Sequence, residues 1–289
     1  MIIGRFAPSP SGALHFGSLV AALGSWLSAK SQGGRWWVRM EDIDPPREQA
    51  GAAATILRQL QAFGLRWDGE VLYQSRRSAR YDAVLMQLKQ RGLLYGCDCS
   101  RRELQAAETP SDRGRCVKNC RSRHLPLTDG NAWRLLAGAE PLPFNDAVFG
   151  PCRFAETEQD DVVLKRRDGL YGYQLAVVVD DIDQGITEIV RGADLLEATP
   201  RQLYLWRLLG ATPPRFAHLP LVVQGDGRKL SKQNDAPAIA ESAALTLLRE
   251  ALAVLGQPIP ACNTISALLA AALADWQLER VPKGPIVRP

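Results

Sequence analysis

No stretch of this sequence comes near the ~18 consecutive apolar residues that a membrane-spanning helix needs, which excludes a helical anchor among these residues. The opening Met1-Ile2-Ile3-Gly4-Arg5 has no basic segment leading into a long apolar core, so no secretory signal is visible. The cytoplasm is therefore the expected location, and no membrane partner is expected. No internal repeat is evident, which sets aside repeat architectures. A surplus of charge is lacking too: 35 Lys and Arg stand against 31 Asp and Glu, a net charge of +4. That balance permits an RNA partner without arguing for one. What is present is ordinary for a globular chain, with 46% hydrophobic and 23% charged residues, and 289 residues suffice for one large or two modest domains.

The first half alternates between strand and helix signals. Ile2 to Phe6 and Trp36-Trp37-Val38-Arg39-Met40 read as strands. Leu19, Val20, Leu23, Trp26 and Leu27 recur at helical spacing, as do Ile56, Leu57, Leu60 and Phe63, and again Tyr81, Val84, Leu85 and Leu88. Such alternation predicts a parallel sheet covered by helices. The character changes near Tyr95. From there to about Gln159 the chain holds clustered cysteines, many arginines, several prolines and little periodicity, the marks of an insertion. Strand signals return at Asp161 to Lys165, Tyr173 to Val179 and Ile186 to Val190. The run Gln174-Leu175-Ala176-Val177-Val178-Val179 suits a strand buried on both faces. A helix is expected after Thr199-Pro200, with Thr199 as N-cap and Pro200 at the first helical position. Beyond Pro237 the Ala- and Leu-rich chain is expected to be helical, and Val281 to Pro289, with its prolines and basic residues, to be loose. The expected organisation is 1–95 as the first half of a sheet domain, 96–160 as the insertion, 161–236 as the second half, and 237–289 as a helical segment with a tail.

Three strings carry chemistry. Pro8-Ser9-Pro10-Ser11-Gly12-Ala13-Leu14-His15-Phe16-Gly17-Ser18 lies between the first strand and the first helix. A Gly- and Ser-rich turn there exposes backbone N–H groups, the helix adds its positive N-terminal end, and His15 can donate to phosphate oxygens. Gly225-Asp226-Gly227-Arg228-Lys229-Leu230-Ser231-Lys232-Gln233 sets two lysines in a Gly-flanked loop, where they can swing onto a polyphosphate and offset developing charge. Arg39-Met40-Glu41-Asp42-Ile43-Asp44 places three carboxylates just past a strand, where ligand sites of α/β sheets form. Taken singly, the three strings are an ordinary connection, a solvated basic turn and a solvated acidic loop.

Six cysteines are present, four of them as Cys97-Asp98-Cys99 and Cys116-Val117-Lys118-Asn119-Cys120. In a cytosolic chain such pairs read as metal ligands before disulfides. A C-x-C and a C-x3-C pair can close a tetrahedral four-thiolate zinc site, and four protein ligands leave no open position, so one structural zinc per chain is expected. Arg101, Arg102, Arg113, Arg115, Lys118, Arg121 and Arg123 surround the cluster in sequence and would offset thiolate charge or face RNA phosphates. Asp98, His124, Cys152 and Cys262 are left out of the site.

The string from Arg5 to Ser18 resembles the glutamate branch of the class I aminoacyl-tRNA synthetases. The family's His-Ile-Gly-His motif stands here as His15-Phe16-Gly17-Ser18, with Ser18 for the second histidine. Lys229-Leu230-Ser231-Lys232-Gln233 resembles the family's Lys-Met-Ser-Lys-Ser loop and keeps both lysines. The resemblance covers roughly residues 1 to 240. It implies an α/β fold with a Rossmann-type parallel sheet, a zinc-bearing insertion and a short helical C-terminal segment. It also implies ATP, with magnesium, as a substrate held by Ser9, His15, Gly17, Ser18, Lys229 and Lys232. His15, Lys229 and Lys232 would be catalytic. L-Glutamate would be held by Arg5, Phe6, Ala7, Pro8, Ser9, Glu41, Tyr173 and Arg191. Glu41 would face the ammonium, and the arginines would offer forks to carboxylates.

About 57 residues follow Lys232, too few for a domain that reads an anticodon. The short chain and the four-cysteine insertion are together similar to the glutamyl-Q tRNA(Asp) synthetase family. That similarity implies activation of glutamate without tRNA, transfer to the cyclopentenediol of queuosine in tRNA(Asp), no anticodon-binding domain and a monomeric enzyme. Two alternatives stay open at this point: a short glutamyl-tRNA synthetase that charges a 3′ end, and a non-catalytic RNA-binding relative.

Overall fold

The computed structural model describes residues 1–105, 116–137, 142–154, 161–225 and 237–288. Lys229 and Lys232 lie outside the described residues, as do Arg113 and Arg115.

The chain opens with strand β1 (Ile3–Phe6) and helix α1 (Phe16–Ser31). Helix α1 is buried almost all round, because it lies between the sheet and the later helices α7 and α8. Strand β2 (Arg35–Met40), helix α2 (Ala52–Ala62), strand β3 (Leu72–Tyr73) and helix α3 (Ser78–Gln90) follow, and all but β3 lie close to the positions that the apolar periodicity predicts. Next come β4 (Leu94–Cys97), a short helix α4 (Arg101–Gln105), β5 (Ala132–Leu135), β6 (Phe144–Asp146), β7 (Gly150–Cys152) and β8 (Val163–Lys165). Helix α5 (Tyr173–Asp183), β9 (Glu188–Gly192), helix α6 (Thr199–Leu208), β10 (Arg215–Leu219) and β11 (Val222–Val223) lead to helices α7 (Ala244–Val254) and α8 (Ile265–Asp275) and to strand β12 (Ile286–Val287).

Strands β1, β2 and β3 pair in parallel. Strands β9, β10 and β6 also pair in parallel, with β7 antiparallel at the edge. The two groups meet where Thr187, just before β9, donates its N–H to Ile3 O at 3.0 Å and accepts from Ile3 N at 2.9 Å through its hydroxyl. Strand order therefore reverses between β1 and β9, and ligands of such sheets sit at the carboxyl ends of the strands flanking that reversal. The pairing cuts across the expected boundaries. Strand β6 falls within 96–160 yet joins β10, whereas β8, beyond it, joins β4 and β5 in a separate antiparallel sheet. Helix α1 approaches β10 closely at Gly24, where a Cβ would stand 2.6 Å from Leu219 Cδ1.

Three local expectations fail for physical reasons. The run Gln174–Val179 is helical, not a strand. Residues 175–181 are all buried, and a helix buried all round has the same continuous apolar signature as a buried strand. Burial against α3, α6 and β8 outweighs the β-preference of its three valines. Thr199 is the first helical residue rather than the N-cap, and its hydroxyl donates to Leu195 O at 3.2 Å and accepts from Arg191 at 2.9 Å. Residues 281–288 are not loose. Val281 is buried, and β12 pairs in parallel with β11.

Helix α5 is fastened to the sheet by buried charge. Asp181 Oδ1 accepts from Arg5 Nε on β1 at 3.0 Å and from Arg39 Nη1 on β2 at 2.8 Å. Its neighbour Asp180 accepts from Gln74 at 2.7 Å, Arg77 at 2.6 Å and Tyr81 at 2.8 Å. Burial pushes the Asp181 carboxyl up, but Arg39 and then Arg5 more than offset it and hold it below the usual carboxylate range. Breaking such a group by removing one member leaves buried charge unpaired. Asp181→Ala should lower the unfolding free energy by about 3–5 kcal/mol in denaturant titration. Arg58→Ala, which breaks a pair with Glu241 whose side chains are 61% and 39% exposed, should change it by less than about 1 kcal/mol.

Candidate active site

A cleft of about 470 Å³ opens at the carboxyl ends of β1, β9 and β10. Its lining includes Phe6, Ala7, Pro8, Ser9, His15, Gly17 and Ser18 from the sequence-predicted set, with Gly192, Asp194 and Leu219 to Val222 opposite them. The turn that forms one wall is held from behind. Leu14 N donates to Gln59 Oε1 at 2.8 Å, Gln59 Nε2 donates to Ile239 O at 3.0 Å, and Ile239 N returns to Leu14 O at 2.9 Å. Gly12 takes φ +129°, a conformation that an L side chain would strain. His15 caps α1, its Nδ1 accepting from Ser18 N at 3.3 Å. A neutral His15 ring therefore carries its proton on Nε2. The N–H groups of the first turn of α1 and this ring give the cleft the chemistry of an anion site.

Beside the cleft lies a second compartment, formed by polar side chains with little exposure. Arg191, on β9 next to Gly192, is 5% exposed. Its Nε donates to His218 Nε2 at 3.0 Å, its Nη1 to Gln202 Oε1 at 2.7 Å, and its Nη2 to Thr199 Oγ1 at 2.9 Å and Leu195 O at 3.3 Å. Every one of these acceptors is neutral. His218 Nε2 must accept, because a guanidinium can only donate, so the imidazole proton sits on Nδ1 and is shared with Asp146 Oδ2 at 2.6 Å. Burial pushes the His218 pKa down, against its hydrogen bond to Asp146, which keeps the ring neutral. Burial likewise lowers the pKa of Arg191, so a negative charge placed against it would be strongly favoured.

Glu41 and Tyr173 share that compartment. Glu41 follows β2, and its N–H donates to Pro8 O at 3.0 Å, which ties the exits of β1 and β2 together. Its carboxylate lies 3.4 Å from Arg39 Nη2. Burial pushes the Glu41 carboxyl up to about 7 despite the pull of Arg39 and Arg5. Tyr173 opens α5. Its hydroxyl is pushed up to about 12 by burial and by the Glu41 charge, with Arg191 and Arg5 acting the other way. Arg5, Glu41, Tyr173 and Arg191, far apart in sequence, thus act on one another in a single buried electrostatic neighbourhood.

Sequence reasoning missed the supports of this site. Neither Asp181 nor Asp146, His218 and Gln202 stands out in the sequence, and Thr199 stands out only as a helix cap. An isolated buried polar residue has no periodicity to betray it. Only the pairing of β6 with β10 brings Asp146 to His218.

The cysteine cluster forms as expected. The sulfurs of Cys97, Cys99, Cys116 and Cys120 all lie within 4.8 Å of one another, and all four are free thiols. Neighbouring sulfurs are 3.8 to 4.0 Å apart, which matches the edge of about 3.8 Å for a tetrahedron with Zn–S near 2.3 Å. Cys120 N donates to Cys116 Sγ at 3.2 Å, and Arg123 Nη1 approaches Cys120 Sγ at 3.7 Å. The cluster is therefore able to hold a metal ion. Of the basic residues around it in sequence, Lys118 pairs with Glu103 at 2.9 Å, Arg121 pairs with Asp161, and Arg123 pairs with Asp98 at 2.8 Å.

Comparison with known proteins agrees with this architecture. Residues 1–253 match the family model for the catalytic domain of class I tRNA synthetases (E and Q). A glutamyl-Q tRNA(Asp) synthetase of Pectobacterium atrosepticum is 52% identical over 284 residues, covering 97% of this chain and 86% of that protein. One from Neisseria meningitidis serogroup C is 47% identical over 296 residues, covering 100% of both. Among solved structures, a glutamate tRNA ligase of Elizabethkingia meningosepticum in complex with its amino acid superposes with a TM-score of 0.83 at 25% identity, over 100% of this chain and 67% of that one. A methionyl-tRNA synthetase of Mycobacterium tuberculosis, 12% identical with a TM-score of 0.56, shares the fold alone. With the buried arginine and carboxylate beside an anion-binding turn and relatives matched along their length, the chain belongs to the glutamyl-Q tRNA(Asp) synthetases, a class I aminoacyl-tRNA synthetase family of ATP-dependent ligases.

Proposed function

We propose that this chain activates L-glutamate with ATP in the absence of tRNA and then transfers the glutamyl group to the cyclopentenediol of queuosine at the wobble position of tRNA(Asp). The observation that carries the amino-acid half is Arg191, a buried guanidinium whose hydrogen bonds go only to neutral acceptors among the described residues. A substrate carboxylate supplies the missing charge. Glu41, a buried carboxyl held near neutrality, is matched to the substrate ammonium. The relatives at 47% and 52% identity, both glutamyl-Q tRNA(Asp) synthetases, support the acceptor.

In the first step a carboxylate oxygen of glutamate attacks the α-phosphorus of magnesium-bound ATP. A P–O bond forms, and the bond to pyrophosphate breaks with its electrons on the leaving group. In the second step a hydroxyl of the cyclopentenediol attacks the acyl carbon; an ester C–O bond forms, the bond to the phosphate breaks with its electrons on the departing AMP, and the hydroxyl proton passes to that phosphate. Arg5, Phe6, Ala7, Pro8, Ser9, Glu41, Tyr173 and Arg191 hold glutamate; Ser9, His15, Gly17 and Ser18 face the phosphates. Lys229 and Lys232 offset the charge that develops on pyrophosphate. Catalysis on this reading is positioning and electrostatics, without a covalent enzyme intermediate. Zinc on Cys97, Cys99, Cys116 and Cys120 is structural, and the enzyme acts as a monomer.

Glutamate-dependent exchange of labelled pyrophosphate into ATP should occur without tRNA. Radiolabelled glutamate should then be incorporated into tRNA(Asp) that contains queuosine and not into the same tRNA lacking it. Incorporation into tRNA(Glu) instead would overturn the acceptor.

With the Glu41 pKa at about 7, the carboxylate that meets the ammonium is lost as pH falls. The KM for glutamate should therefore rise roughly eightfold from about pH 7.5 to about pH 6, since each unit below the pKa costs up to a factor of ten. Glu41→Gln should raise that KM and flatten its dependence on pH.

Zinc should co-purify in a one-to-one ratio and be lost from Cys116→Ser, as measured by elemental analysis. Metal-free protein with four titratable thiols in the cluster would refute the zinc assignment.

A further inference from the structure

The cleft is bordered by two segments with no sequence neighbourhood in common, and a third segment fastens both. Strand β12 lies parallel to β11, with Ile286 N donating to Leu221 O at 2.8 Å and Arg288 N to Val223 O at 3.0 Å. Leu221 and Val222 line the cleft. The Arg288 guanidinium stands over the ring of Phe16, 4.5 Å from its centroid. Phe16 is 2% exposed, follows His15 and opens α1. The same guanidinium pairs with Glu250 on α7 at 3.3 Å. One short segment therefore holds the floor strand of the cleft through its backbone and the root of the His15 turn through a directional cation–ring contact. The Arg288 side chain is about one-third exposed, and Ile286 is only partly buried against the apolar core that α1 shares with α7 and α8, whose buried members among the described residues all precede residue 282. These contacts therefore have more leverage on where the two walls sit than on whether the domain folds.

We propose that residues Ile286–Arg288 belong to the nucleotide site as positioning residues. They set the separation between the His15 turn and the Leu221–Val222 floor at which a nucleoside triphosphate fits. This rests on the reading of the cleft as the ATP site, and wild-type exchange that requires both ATP and glutamate is the control for that reading.

Given that control, Arg288→Ala should raise the KM for ATP by about fivefold, leave the KM for glutamate within about twofold, and leave the melting temperature unchanged. Arg288→Lys, which keeps a cation over the ring, should restore the KM for ATP to within about twofold of wild type. Ile286→Pro removes the donor to Leu221 O and should act in the same direction through the backbone. Wild-type exchange together with an unchanged KM for ATP in both Arg288→Ala and Ile286→Pro would overturn the proposal. So would a parallel rise of both KM values with a fall in melting temperature, the signature of a merely structural part. Absence of wild-type exchange would remove the reading of the cleft and the proposal with it.

Discussion

One carboxylate oxygen, Asp181 Oδ1, receives guanidinium groups from two neighbouring strands, and the site depends on that convergence. Arg5 and Arg39 reach it at 3.0 and 2.8 Å, and Arg39 extends to Glu41 at 3.4 Å. The group seats α5 on the sheet, which brings Tyr173 to the compartment, and it sets the field in which Glu41 titrates near neutrality. Charges this deep would be costly singly; together they fix one arrangement of β1, β2 and α5. A hydrophobic replacement could hold the same elements together but would leave Glu41 without its counter-charges.

The two buried arginines follow opposite electrostatic strategies. Arg39 is surrounded by acids that outweigh the effect of its burial, so its charge is answered within the protein. Arg191 is aimed by a neutral imidazole, an amide, a hydroxyl and a carbonyl, so its charge is left for something else to answer. Asp146 reaches Arg191 through His218. Its proton-sharing contact with His218 fixes the tautomer that lets Nε2 accept from Arg191. The cleft alongside relies on backbone N–H groups and a capped helix, which suit an anion that must arrive and leave.

Much of this was legible in the sequence where a signal was local. The strands at Ile3–Phe6 and Arg35–Met40, the periodic helices, the His15 turn and the four thiols each announce themselves within about two dozen residues or fewer. What escaped depends on contacts distant in sequence. The helix beginning at Tyr173 looks like a strand because full burial erases periodicity. Thr199 looks like a cap because the demand of Arg191 for an acceptor is invisible locally. Residues 281–288 look loose because pairing of β12 with β11 cannot be read from prolines and charges alone.

The missing side chain at Gly24 has a further meaning. Leu219, whose Cδ1 would lie 2.6 Å from a Cβ at that position, is also a wall of the cleft. A methyl group added in the middle of α1 must displace Leu219, and the space available to it includes the cleft. A larger residue at this interior glycine would therefore be felt in the dimensions of the cleft as well as in the packing of α1 against β10.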